Sequence, residues 1–251
     1  MRSTGTLIAL FLLALSVYGQ PKAYRAPRTP DGKPDLQGIW EAHTTADGSL
    51  EAHSAALGIR AGASVIVDPP DGKIPYQPDS RANQQKNFAN RKTADPVNHC
   101  YLPGVPRITY MPYPFEIFQT PEFVAIAYEY VHASRTIHMG KQEHPDDIDF
   151  WMGDSRGHWE GETLVVDVAD TGSDTWLDSS GDFHSAAMHV MERYTRTGPD
   201  TLQYEATIED SKVLTKPFKI SLTLYRHTEK NAQLYEYECQ VYAEDSGGSA
   251  K

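Results

Sequence analysis

The stretch that decides the fold is TLQYEATIE, residues 201–209. Leu202, Tyr204, Ala206 and Ile208 alternate with Gln203, Glu205, Thr207 and Glu209. Successive side chains of a strand point to opposite faces, so this pattern predicts a strand with one dry and one wet face, as antiparallel sheets have. Outward from it, further strand-like runs occupy residues 115–120, 122–131, 135–139, 162–168, 188–196, 217–227 and 233–242. Nearly all are separated by short turns, signalled by Thr120-Pro121, Gly198-Pro199-Asp200 and Glu229-Lys230-Asn231. No intervening helical segment has the length that a parallel crossover needs, which predicts an all-β antiparallel meander of about nine or ten strands. Such a meander must protect its edges. Closure into a barrel, complete or partial, does so directly, and a two-sheet sandwich satisfies the same pattern.

The second informative stretch is FWMGDSRGHWEGETLVVDV, residues 150–168. Gly153-Asp154-Ser155-Arg156-Gly157 matches the G-x-S-x-G of a serine nucleophile elbow. That elbow sits between a strand and a helix, whereas here a strand follows. The reading is therefore a turn leading into the strand at 162–168. Gly153 and Gly157 would supply turn conformations while Asp154 and Ser155 bond to local backbone.

Before the strand-rich region, residues 41–113 are polar and rich in Gly, Pro, Asn and Gln. A hairpin is expected where Val65-Ile66-Val67 and Lys73-Ile74-Pro75-Tyr76 flank Pro69-Pro70-Asp71-Gly72, and one short helix capped by Asp79 or Ser80 and running to about Arg91. Irregular segments this long are unusual in compact domains, so this one either covers a site or wraps the body structurally. Residues 20–35, with Pro21, Pro27, Pro30 and Pro34, read as an extended lead-in. Residues 36–242 read as a single β domain and 243–251 as a disordered tail.

The chain opens with Arg2, an apolar run over residues 7–15, and small residues at Ser16 and Gly19. This is the layout of a secretory signal peptide, residues 1–19, with the mature chain beginning at Gln20. The run falls short of the roughly 20 apolar residues of a transmembrane helix, so the mature protein is not expected to insert in a membrane. A periplasmic or secreted location follows, and in such an oxidising compartment the two cysteines, Cys100 and Cys239, are expected to form a disulfide. The formal charge of −11 and the lack of a basic stripe argue against nucleic acid as a partner.

Gly38-x-Trp40 is similar to the G-x-W near the start of lipocalin-like barrels, three residues that favour the barrel. A broader resemblance rests on PDLQGIW at 34–40, Cys100-x-x-Pro-Gly-x-Pro-Arg107, Tyr113-Pro114-x-Glu-Ile117, GDSRGHWEG at 153–161 followed by TLVVD at 163–167, TWLD at 175–178 and Phe183-His184-Ser185. Together they resemble a family of exported bacterial proteins without an assigned activity, over most of residues 34–240. The resemblance implies export and a shared design, and no mechanism. At Glu162 the family pattern has Asp, a change that keeps the charge.

Candidate chemistry comes from an ionisable set of Glu129, His132, Arg135, His138, His184, Glu192 and Arg193. If His132-Ala133-Ser134 is a hairpin turn, Glu129 and Arg135 lie near each other on adjacent strands. Arg135 would clamp an anion while a neighbouring Glu or His transfers a proton; an ordinary cross-strand ion pair is the competing reading. His184, on the loop before the strand at 188–196, is assigned the general acid or base, with Glu129 as partner or second base. The competing role for His184 is a turn or cap bonded to backbone. Trp159 or Trp176 is expected to wall the pocket, with His138 and Asp154 as further substrate contacts, although most tryptophans belong in the core. His132, His138, His144, His184 and His189 have no metal-motif spacing, so no cofactor is expected and a zinc site built from separate strands is the alternative.

These assignments describe an exported β-barrel that acts on a small molecule by acid–base chemistry of lyase, isomerase or hydrolase type. Its rivals are a noncatalytic ligand carrier and a structural or partner-binding envelope protein. An enzyme should gather the ionisable set in one concave site, a carrier should hold an apolar cavity, and a structural protein should have a filled barrel with an exposed patch elsewhere.

Overall fold

A computed structural model describes residues 24–56, 59–140, 143–145 and 147–239. The expected signal peptide, the start of the lead-in and the expected tail lie outside these residues. The chain forms β1 (Gly38–Ala42), β2 (Ile66–Asp68), α1 (Pro78–Ala94), α2 (Arg107–Tyr110), β3 (Phe115–Gln119), β4 (Phe123–Tyr128), β5 (Ser134–Met139), β6 (Asp154–Glu160), β7 (Thr163–Ala169), β8 (Met188–Gly198), β9 (Thr201–Asp210) and β10 (Phe218–Arg226).

The alternation read at residues 201–209 is realised in β9, where Leu202, Tyr204, Ala206 and Ile208 are buried. β8 and β10 repeat it on either side. Strands pair in the order β1-β3-β4-β5-β6-β7-β8-β9-β10, and β1 then pairs with β10 through Trp40↔Arg226 and Ala42↔Leu224. The barrel is thus closed with nine strands, and the sandwich is excluded. β2 occupies the other half of the same β10 edge, opposite Lys219 and Ile220. Closure leaves no long unpaired edge and turns every inward residue toward one core. Trp40, Phe115, Ile126, Val166, Val190, Leu202 and Leu224 lie in it, and burying each such side chain contributes about 1.5–3 kcal/mol. Trp40 satisfies its indole N–H by donating to the Leu36 carbonyl at 2.9 Å.

Several expectations are corrected. The meander is not uniformly antiparallel, because β5 and β6 are parallel, with Ile137 opposite Ser155 and Met139 opposite Gly157. A parallel pair needs a crossover connection, and the chain between Met139 and Asp154 is long enough for one. Residues 154–160, expected to be a turn, are strand β6 itself. Its small inward residues make room for neighbours: a Cβ on Gly157 would meet the Ile137 and Met139 side chains at 2.7 and 2.8 Å. The true hairpin turn is at Gly161, whose φ of +61° suits glycine.

The expected hairpin around residues 65–76 forms its turn, with the Gly72 N–H donating to the Pro69 carbonyl, but β2 pairs with β10 and residues 73–76 are not a strand. Nor do the described residues of 233–242 add a strand. They make one bridge, Tyr130↔Tyr237, since closure by β1 has already filled the edge of β10. The helix expected from 79 or 80 to 91 forms as α1 and is longer, with Pro78 in its first turn. Of its residues only Ser80 is buried, and hydrogen bonds to the body from Gln84 and Asn87, to the carbonyls of Ser180 and Gly181, hold this polar helix in place. The disulfide Cys100–Cys239 is present. Among the described residues no helix is long and apolar enough to cross a membrane.

Candidate functional site

Residues 44–56, 95–113 and 174–184 meet at the elements packed against the barrel. The turn after Leu177 is organised by Asp178, whose carboxylate accepts the backbone N–H groups of Leu50 at 2.8 Å, Ser180 at 2.9 Å and Asp182 at 3.2 Å. Gly181 has φ +81° and passes so close to α1 that a Cβ would lie 2.6 Å from that of Asn87. This Asp-x-Ser-Gly-Asp turn orients Ser179 toward α2. Asp182 accepts the Tyr76 hydroxyl at 3.0 Å. Burial, reinforced by Asp182, pushes the Asp178 carboxyl pKa up, and burial likewise raises that of Asp182.

Arg107 of α2 is 1% exposed, yet every guanidinium nitrogen is used. Asp95 takes Nη1 and Nη2 in a fork at 2.8 and 2.9 Å, Asp47 takes Nε at 2.8 Å, and Ser179 Oγ accepts from Nη2 at 2.8 Å. Asp95 also accepts the Val97 N–H, capping the 3-10 turn Pro96–His99. Burial acts to lower the Arg107 pKa, but the Asp47 and Asp95 carboxylates reverse this and hold it charged.

Above Arg107 lies a groove of about 460 Å³ whose lining includes Lys92, Asp95, Tyr113, Tyr130 and Tyr237. The tyrosine rings form one aromatic wall, with centroids 4.5 Å apart for Tyr113 and Tyr237, 5.3 Å for Tyr113 and Tyr130, and 5.6 Å for Tyr130 and Tyr237. Tyr130 donates its hydroxyl to the Val97 carbonyl at 3.3 Å. Burial and the Tyr237 hydroxyl raise the Tyr113 pKa, and burial raises that of Tyr130. Cys239 also lines the groove, and the disulfide therefore fastens the segment carrying Tyr237 beside the 3-10 turn. A smaller depression of about 230 Å³ shares Asp47, Pro112 and Ser179 with it.

The residues nominated from the sequence are placed apart from this groove. Glu129 and Arg135 do not pair across the turn, because Arg135 points inward from β5 whereas Glu129 lies in the bend just past the end of β4. Glu129 accepts the Tyr235 N–H at 2.8 Å. Arg135 instead forms an ion pair with Glu192 inside the barrel and donates through Nε to Ser155 Oγ at 2.9 Å. Ser155 is therefore a buried strand residue, not a turn residue bonded to local backbone.

His184 is buried. Its Nδ1–H donates to the Ser185 carbonyl at 3.1 Å, so Nε2 accepts from Thr175 Oγ1 at 2.7 Å. Desolvation by burial lowers its pKa, which keeps the ring neutral. No hydrogen bond or ion pair joins Glu129, Arg135 and His184 to one another.

Trp176 is buried and bridges to Phe183, and Trp159 packs half-buried against the core. His138 is exposed on the outer side of β5. Asp154, on the outer side of β6, binds Arg156 Nε at 2.5 Å and His144 Nδ1 at 2.7 Å, while His189 of β8 pairs with Asp167 of the adjacent β7. His144 Nε2 comes within 3.5 Å of Asp167, so this cluster ties the connection before β6 to the sheet. Among the described residues no group of three or more His, Cys, Asp or Glu is arranged to hold a metal ion.

The groove residues Asp47, Asp95, Arg107, Tyr113, Tyr130, Ser179 and Tyr237 were not nominated from the sequence. Arg107 ends the Cys100-x-x-Pro-Gly-x-Pro-Arg motif and Ser179 follows TWLD, so two of the quoted motifs lead to the floor of the groove.

No family model matches the chain, and no curated protein matches it. Among solved structures, the chain is similar to a mutant of the fluorescent protein UnaG, with 11% identity over 77% of this chain and 97% of that chain and a TM-score of 0.34. At that score the likeness carries nothing about ligand or function.

Proposed function

We propose that this is an exported small-molecule-binding protein whose site is the groove over α2. One observation carries the reading: a concave space of about 460 Å³ combines an aromatic wall with a buried, fully bonded charged floor. That volume falls in the range of ordinary ligand sites. The formal charges of its lining balance, Asp47 and Asp95 against Lys92 and Arg107, which favours a ligand without net charge. Ring faces at Tyr113 and Tyr237 offer apolar stacking, while Lys92, Asn98 and Asp47 offer hydrogen bonds at the rim. Export rests on the N-terminal sequence pattern together with the disulfide.

Binding takes precedence over acid–base catalysis because Glu129, Arg135 and His184 are each engaged with separate partners. The test is a screen of uncharged polar fragments, followed by affinity measurements on Tyr113→Ala and on the remote surface variant Phe118→Ala. The expected result is a loss of about tenfold for Tyr113→Ala, the size of one aromatic contact, and none for Phe118→Ala. Hits that bind both variants as tightly as the parent would overturn the assignment.

A further inference from the structure

The depression of about 230 Å³ beside the groove shares Asp47, Pro112 and Ser179 with it, so these residues form a ridge between two adjoining spaces. The two spaces offer different contacts. The groove has the tyrosine rings, whereas the depression has Ile59 and Arg60. The backbone fixes the segment that carries Arg60. His53 and Gly62 exchange both backbone hydrogen bonds at 3.0 Å, and His53 Nε2 lies 2.6 Å from the Arg60 carbonyl oxygen. Ile59 is buried and seats the segment on residues 45–48, so closely that a Cβ on Gly48 would meet Ile59 Cγ2 at 2.9 Å. Arg60 is thus held against the stretch that carries Asp47. Its side chain is exposed, and no carboxylate among the described residues forms an ion pair with it.

We infer that the groove and the depression form one two-part site, whose ligand lays an uncharged ring on the tyrosine wall and extends a singly charged anionic group, a carboxylate, across the ridge to Arg60. The inference rests on the groove being the ligand site and adds where the ligand carries its charge. The formal charges decide the class. Asp47 and Asp95 balance Lys92 and Arg107 in the groove, and the depression adds one further charged residue, Arg60, which leaves the joined lining with one positive charge in excess. An anion inside the groove would face Asp47 and Asp95, whose carboxylates already serve Arg107. Beyond the ridge it meets a guanidinium without a counter-charge, and the planar fork of that group matches a carboxylate.

Phenylalkanoates of increasing chain length, each paired with its own primary amide, test the inference by calorimetric titration of the mature protein. At the length that spans the ridge, the acid should bind about fivefold more tightly than its amide, the size of one exposed ion pair. Raising the salt concentration should shrink that preference. Arg60→Gln should remove it, and Tyr113→Ala should weaken acid and amide alike. The inference alone is overturned if acid and amide bind equally at every length, if neither binds, or if the preference survives Arg60→Gln. It is overturned likewise if Tyr113→Ala weakens the amide and leaves the acid untouched, since the acid then does not span the two spaces. Amides that bind the parent and Tyr113→Ala equally well give a distinct result, which removes the groove as the ligand site and this inference with it.

Discussion

Arg107 and Arg135 are both buried guanidinium groups facing carboxylates, yet they are built differently. Arg107 is enclosed by side chains from three loop segments and has every nitrogen bonded, including a two-pronged contact to Asp95. Arg135 projects from a strand into the barrel, meets one carboxylate, and leaves Nη1 unused. The pleat fixes where a strand residue points, so Arg135 can reach only what neighbouring strands present at its level. Loops are free to converge, and they converge on Arg107. In this molecule the loop-built centre is a saturated floor for an open groove, whereas the strand-built centre is packed inside the barrel with one guanidinium nitrogen outside hydrogen-bond geometry.

The largest effect should come from the barrel. Glu192→Ala leaves Arg135 buried without a counter-charge and should cost about 3–5 kcal/mol in urea unfolding. A loss under about 1 kcal/mol would mean that solvent reaches Arg135. Next is Cys239→Ser, which removes a link between residues 139 apart in sequence and should cost about 2–4 kcal/mol, the usual range for a disulfide. Because Tyr237 stands two residues before Cys239, this variant should also lose ligand binding while its far-ultraviolet circular dichroism stays β-type. Asp95→Ala should cost less, about 2–3 kcal/mol, since Asp47 and Ser179 still hold Arg107. If Asp95→Ala proves worse than Glu192→Ala, the contrast between a saturated and an unsaturated centre is wrong.

The smallest effect is the pH dependence of the outer-face pair. The hydrogen bond to Asp167 raises the His189 pKa above its ordinary 6.5, so this contribution is fully present below about 6.5 and fades as pH rises through the raised value. The same bond lowers the Asp167 pKa below 3.8, so its contribution is present above about 3.8 and fades as pH falls through the lowered value. The pair should therefore be most effective between these limits, and His189→Gln should flatten that part of the stability profile. An NMR titration giving His189 an unshifted pKa would remove the pair from the account.

The strands β3 to β5 and β7 to β10 were legible as apolar or alternating runs bounded by turn residues, with the cleanest alternation in β9. β6 was not, since its inward positions are Ser155 and Gly157, small residues that accommodate Arg135, Ile137 and Met139 and so carry no apolar signal. Arg135 and Glu192 were both recognised as chemically interesting, but the sequence offered Glu129 as the nearer partner. Only the inward direction of Arg135 on β5, and the end of β4 before Glu129, decide between them. The groove was harder still. Asp47, Asp95, Arg107, Ser179 and Tyr237 come from separate segments without periodicity, and nothing in their spacing indicates that they meet.

The central claim is that ligands bind in the loop-built groove and not where the sequence-nominated residues lie. Chemical-shift mapping of uncharged polar fragments on isotopically labelled mature protein tests it most directly. The account predicts perturbations at Lys92, Asn98, Tyr113, Tyr130 and Tyr237, with His184 and Glu129 unaffected. Perturbations centred on His184 and Glu129, with the tyrosine wall silent, would contradict it.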